Sequence, residues 1–193
     1  MVLPEDELRA SQYRLLARFL ASPPDTSLLR LTASFTGDDT DLGQALALLA
    51  HLAQNTSESK ASEEYHELFI GVGRGELMPY GSYYMTGFLN EKPLAVLRQS
   101  MSGLGIARAG HSSEPEDHIA ALCDMMAGLI MGDFSEPLDI AEQKRFFDQH
   151  LAPWASSFFT DLENAKAATL YTPIGTLGHV FMEIETTAFA MAQ

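Results

Sequence analysis

The chain has 193 residues, enough to bury a sizeable core as one domain or as two intimate halves. Its 26 acidic residues against 12 basic ones leave a formal net charge of −14, a field that repels nucleic-acid phosphates and anionic membranes, attracts basic segments, and also serves solubility. No stretch approaches the ~18 apolar residues of a membrane span, the start Met1-Val2-Leu3-Pro4-Glu5-Asp6-Glu7 lacks a basic-then-apolar signal pattern, and a lone Cys123 excludes an internal disulfide; a cytoplasmic protein is expected.

Taken in order, residues 5–21 predict a helix with Leu8, Leu15, Leu16, Phe19 and Leu20 on one face and Arg9, Arg14 and Arg18 off it, stopped by Ser22-Pro23-Pro24. Asp25 or Thr26 caps a short helix through Leu28, Leu29 and Leu31. Thr40 or Asp41 starts another, with Leu42, Leu46, Leu49 and Ala53 inward. A helix over roughly 58–71 carries Tyr65, Leu68, Phe69 and Val72 on one face and ends in Gly71-Val72-Gly73-Arg74-Gly75. That glycine run follows a helix instead of a strand and no Lys-Ser/Thr pair follows it, so it reads as a helix end and not as a phosphate cradle. Leu77 to Tyr84 is an aromatic, proline-bearing connection whose tyrosines either contact a peptide or cover the core, with Gly81 loosening the loop between Tyr80 and Ser82. Pro93 opens a helix with Leu94, Leu97, Met101 and Leu104 inward.

Residues 107–113 form a polar, hinge-like connection to Glu114-Pro115-Glu116-Asp117-His118. Ser113 with Glu116 gives the spacing of a capping box, Pro115 suits a first helical turn, and Ile119, Leu122, Cys123, Met126, Leu129 and Ile130 follow as an apolar stripe. Asp117 and His118 are therefore expected in the first turn of a core helix. They serve there either as acids answering the helix dipole or as an acid–imidazole cluster that binds a cation or titrates near neutrality. Gly132 to Pro137 closes that helix. Ile140, Lys144, Phe147 and Leu151 mark the next, Pro153 opens one with Trp154, Phe158 and Leu162, and Thr172-Pro173 starts the last, with Leu177, Val180, Phe181, Ile184, Ala188 and Met191 inward. No β alternation and no repeat is visible. The expected fold is an all-α bundle of about ten helices, with an N-terminal half 1–106 and a C-terminal half 114–193 joined near 105–113.

Catalytic and metal signals are thin. Glu63 and His66 make one E-x-x-H pair where a di-iron bundle needs two, no H-E-x-x-H occurs, and His111, His118, His150 and His179 are scattered. Cys123 falls on a buried stripe, unsuited to a nucleophile. No metal and no cofactor is expected. The alternatives kept open are a small helical metal- or cofactor-binding enzyme using His66, His118 and nearby acids, and a permanent subunit of a respiratory dehydrogenase complex.

Four stretches carry a resemblance: Glu64-Tyr65-x-x-Leu68-Phe69-x-Gly71, Pro79-Tyr80-x-Ser82-x-Tyr84, Glu114-Pro115-x-Asp117-His118, and Phe146-Phe147-x-x-His150-Leu151-x-Pro153-Trp154. In this order and spacing the chain resembles the TorD/DmsD group of redox-enzyme maturation chaperones. The resemblance implies an all-helical cytoplasmic chaperone without catalysis of its own. Such proteins bind the twin-arginine signal peptide and the apo form of a molybdopterin oxidoreductase, aid cofactor loading and delay export. Carried over by motif, the implied peptide contacts are Tyr80, Ser82 and Tyr84 with Glu114, Asp117 and His118. Glu116 adds to the carboxylates available to arginine. Exchange of helical halves between two protomers through the 107–113 segment is a further expectation.

Overall fold

The computed structural model describes residues 2–107 and 114–192, and among these every regular element is helical. In chain order they are α1 (Pro4–Ala21), α2 (Thr26–Thr32), α3 (Asp41–Asn55), α4 (Glu58–Tyr65), a π-helical turn (His66–Ile70), α5 (Gly81–Thr86), α6 (Lys92–Gly103), α7 (Ile119–Met131), α8 (Ile140–His150), α9 (Ala155–Glu163) and α10 (Thr172–Met191). The helix starts at Asp25, Thr40, Ser57 and Asp139 are made by side-chain oxygens accepting from backbone amides three residues on, as their residue types predict.

Two compact units emerge. One comprises Met1–Ala21, Pro79–Ala155 and Glu185–Gln193; the other comprises Ser22–Met78 and Ser156–Ile184. Residues on both sides of the expected 107–113 connection belong to the first unit. Ser113, His111 and most of that connection lie outside the described residues.

The first unit is built on α7. Ile119, Leu122, Cys123, Met126, Ala127 and Ile130 are all fully buried, so this helix is apolar nearly all round and α1 and α8 pack on it. Its neighbour α1 buries Leu16, Phe19 and Leu20 as expected and Ala10, Tyr13 and Ala17 besides, but at its start Leu8 is exposed and the part-buried Arg9 turns in beside Tyr13. The reason lies in α10, where Glu185 and Phe189 are buried and Ile184 and Met191, expected inside, are exposed. Arg9 Nε and Nη2 donate to the two Glu185 carboxylate oxygens at 2.7 and 2.9 Å, and the Tyr13 hydroxyl donates to the same carboxylate at 3.0 Å. A bidentate pair, Glu185 buried and Arg9 part-buried, thus lies inward at two positions off the apolar stripes of these helices.

The second unit is stapled by two carboxylates. Glu64 accepts from the backbone amides of Thr169, Leu170 and Tyr171 at 2.7–3.1 Å, immediately before α10, and Glu76 accepts from those of Lys166 and Ala167 at 2.8 and 3.1 Å. Tyr65, Phe69 and Tyr171 pack as a ring cluster with centroids 5.0–6.2 Å apart. The π-helical turn ends at Gly71, whose φ of +62° would strain any other residue; the chain then doubles back so that Leu77 N–H donates to the Leu68 carbonyl at 2.8 Å. The glycine run is a helix end, as expected. Glu63 accepts from the Ser59 hydroxyl and His66 is exposed. Among the described residues no three His, Cys, Asp or Glu side chains come together in a metal-holding group.

Candidate functional site

The seven residues expected at a site all lie in the first unit, on two short segments that cross. Ile119 N–H donates to the Pro79 carbonyl and Gly81 N–H to the Asp117 carbonyl, both at 2.9 Å, so Tyr80 and His118 face each other in an isolated antiparallel bridge. Their rings meet edge to face at 5.1 Å, and the Tyr80 hydroxyl donates to the exposed Glu114 carboxylate.

The expected capping box does not open α7. The helix begins at Ile119, and its N-cap is His118, whose Nδ1 accepts from Ala120 N–H at 3.1 Å. Glu116 is turned away from any cap, because Arg98 on α6 donates to its Oε2 through Nε and Nη2 at 3.0 and 2.8 Å. Asp117 precedes the helix and caps another one. Tyr80 has no capping side chain of its own, and Asp117 Oδ2 accepts from Ser82 N–H at 2.7 Å in its stead. Residues 81–86, expected as a loop, are the helix α5. Six residues are too few to show a 3.6-residue period, and the cap that starts the helix comes from 35 positions away in the sequence.

Gly81 does not loosen a loop. It is buried at the start of α5 and presses on Trp154: a Cβ there would stand 3.0 Å from the indole Nε1 and 3.2 Å from Cε2. Trp154 is held by its Nε1–H bond to the His150 carbonyl, 2.8 Å, and lies 5.4 Å from the Tyr84 ring. His150 Nε2 is 2.9 Å from the Ser100 hydroxyl. The second, third and fourth sequence stretches therefore converge here, whereas the first belongs to the staple of the second unit.

Between α5, α6, α7 and α8 lies a pocket of about 320 Å³. Its walls are Met85, Pro93, Val96, Leu97, Leu122 and Trp154, with the exposed Lys92 also contributing. Asp117 lines it too, with only 2% of its surface exposed, and its Oδ1 has no hydrogen-bond partner. A buried carboxylate oxygen left unpaired costs stability, so the arrangement fits a donor arriving from outside. Both histidines nearby are neutral at pH 7. Burial lowers His118 to about 4 against the opposing pull of Glu114 and Asp117, and lowers His150 likewise to about 4. Burial pushes the Cys123 thiol up, so no thiolate is available. His150, Trp154 and Gly81 were absent from the expected contacts. The first two stand in the fourth stretch, where an apolar helix period accounts for them as core and hides that they line a pocket.

Residues 35–160 match the family described as nitrate reductase delta subunit, a span that contains all four stretches. This chain belongs to that family, the TorD/DmsD family of redox-enzyme maturation chaperones. Its relatives include the chaperone protein TorD of Vibrio cholerae, 29% identical over 134 residues, which are 66% of this chain and 61% of that one. They also include the Tat proofreading chaperone DmsD of Salmonella typhimurium, 27% identical over 186 residues, covering 92% and 88%. The matched region thus spans about three-fifths of the Vibrio proteins' length. A solved structure described as a redox enzyme maturation protein from Archaeoglobus fulgidus superposes with a TM-score of 0.62 over 91% of this chain and 94% of its own, at 22% identity, and shares the fold. Among the described residues no helix is long and apolar enough to cross a membrane.

Proposed function

We propose that this chain is a cytoplasmic chaperone for the maturation of a molybdenum-dependent oxidoreductase, binding the twin-arginine leader and the apo form of its client so that cofactor loading precedes export. Family membership supports the chaperone role, and the names of its relatives point to leader proofreading. The observation that carries the leader reading is Asp117, which lines a largely apolar pocket and whose Oδ1 is buried without a hydrogen-bond partner. A leader offers cationic guanidinium groups next to an apolar stretch, the complement of one carboxylate oxygen walled by methionine, proline, valine, leucine and tryptophan. Tyr80, Ser82, Tyr84 and His118 act in this reading mainly by fixing Asp117 and the pocket wall, and Glu114 stands at the solvent side. No catalytic step is assigned to the chain.

The test is calorimetric titration of the purified protein with leader peptides of the molybdoenzymes encoded in its own genome, each beside a version with both arginines replaced by glutamine. One leader is expected to bind at micromolar Kd or tighter, the replaced version at least about tenfold more weakly, and Asp117→Ala to lose more than about 1 kcal/mol against the native leader. Absence of binding to every leader would overturn the proposal.

A further inference from the structure

We infer that the two arginines of a bound leader are read unequally: one guanidinium enters the pocket and pairs with Asp117 Oδ1, while the other stays in solvent. This rests on the leader reading above and adds to it how the pair is recognised. Three carboxylates stand in the segment 114–117, and a symmetric reading would give each arginine one of them. The structure divides them differently. Glu116 is already answered by two donors of Arg98, and recruiting it would break an internal ion pair. Glu114 is exposed and holds the Tyr80 hydroxyl, so a cation beside it keeps its water and gains little. Only Asp117 offers an oxygen that is both buried and unpaired, and its other oxygen is fixed by Ser82 N–H.

The energetics favour a single deep contact. Removing a carboxylate from water is costly, but folding has already done so for Asp117; an arriving guanidinium loses its own hydration and finds a partner in place. The apolar pocket walls, Trp154 among them, match the aliphatic stem of an arginine. One oxygen and one pocket of this size serve one side chain.

Citrulline, which keeps the shape of arginine and removes its charge, supplies the test. Two leader peptides, each with one arginine changed to citrulline, are titrated against the protein and against Asp117→Asn, whose amide oxygen still accepts from Ser82 N–H. One substitution is expected to raise Kd at least about tenfold and the other less than about threefold. In Asp117→Asn the difference disappears and the parent peptide binds as weakly as the poorer variant does to the native protein. Equal losses at both positions, or a difference that survives in Asp117→Asn, would overturn the inference while leaving the leader reading intact. If the parent leader fails to bind, the leader reading falls, and the pocket is then probed with acetyl-arginine amide through the fluorescence of Trp154, the chain's one tryptophan. A saturable change that acetyl-citrulline amide and Asp117→Asn both lack would sustain a guanidinium site; no change would end it.

Discussion

His118 illustrates how a residue's surroundings set its chemistry. Its Nδ1 is occupied as the acceptor that caps α7, so the neutral ring carries its proton on Nε2, and burial keeps the imidazolium unfavourable. In the folded chain it takes a proton only near pH 4, whereas the unfolded chain takes one near 6.5. Between those values the unfolded state binds more protons, so stability falls as pH drops from 6.5 towards 4 and this contribution levels off below 4. His150 adds a second contribution of the same sign. Asparagine at 118 retains a capping oxygen and cannot titrate. His118→Asn is therefore expected to fold and to flatten the decline of the urea midpoint between pH 6.5 and 4. An unchanged slope would show that the native imidazole is not held neutral. The sequence made Asp117 and His118 stand out as an acid–imidazole pair, yet it placed them inside a helix. What it could not show is that the residue doing the capping is the histidine, because the choice depends on the 79–81 strand-like segment that bonds to 117–119.

At the level of elements, helix periodicity located nearly every helix and misassigned faces where charges are buried. Arg9 and Glu185 read as outward positions on α1 and α10, and each points inward only because the other does. Such pairing is invisible along one helix, since the partners are 176 positions apart. The pair is further held by Gln143 Oε1, which accepts from Arg9 Nη1 at 3.0 Å, and by the Phe189 ring 5.2 Å from the guanidinium carbon. Glu185→Ala removes the carboxylate that a partly buried guanidinium and the Tyr13 hydroxyl share and is expected to lower unfolding free energy by about 3 kcal/mol. Replacing Arg9 and Glu185 together by methionine is expected to cost less than that single change. Urea unfolding of the three proteins checks both statements; a double variant no better than the single would mean that the pair is net stabilising. The same dependence on a distant partner hid α5, which is capped by Asp117 from another segment.

For the whole molecule, the proposed function assigns the charge of −14 and the buried oxygen of Asp117 to different stages of association. On the proposed function, the net field attracts a cationic leader over several ångströms and is screened within about 10 Å at 0.1 M salt, whereas a contact made inside the pocket is shielded from salt. Raising sodium chloride from about 50 to 500 mM is expected to slow association about tenfold and to change the dissociation rate less than about twofold, followed by stopped-flow fluorescence of Trp154. A dissociation rate that rises with salt would place the decisive contact at the surface. The sign and size of the charge were plain from composition. The division of labour was not, since it depends on which carboxylates the fold buries, pairs or leaves open.

The unit that carries the pocket draws on both ends of the described chain, α1 and the last turns of α10, and is closed between them by Arg9 and Glu185. At elongation rates of about 5–20 residues per second, Glu185 is synthesised roughly ten to thirty-five seconds after Arg9. Throughout that interval the nascent α1 lacks the Glu185 carboxylate that Arg9 and Tyr13 share in the folded unit. The pocket-bearing unit is thus closed only once Glu185, 176 positions after Arg9, has been made.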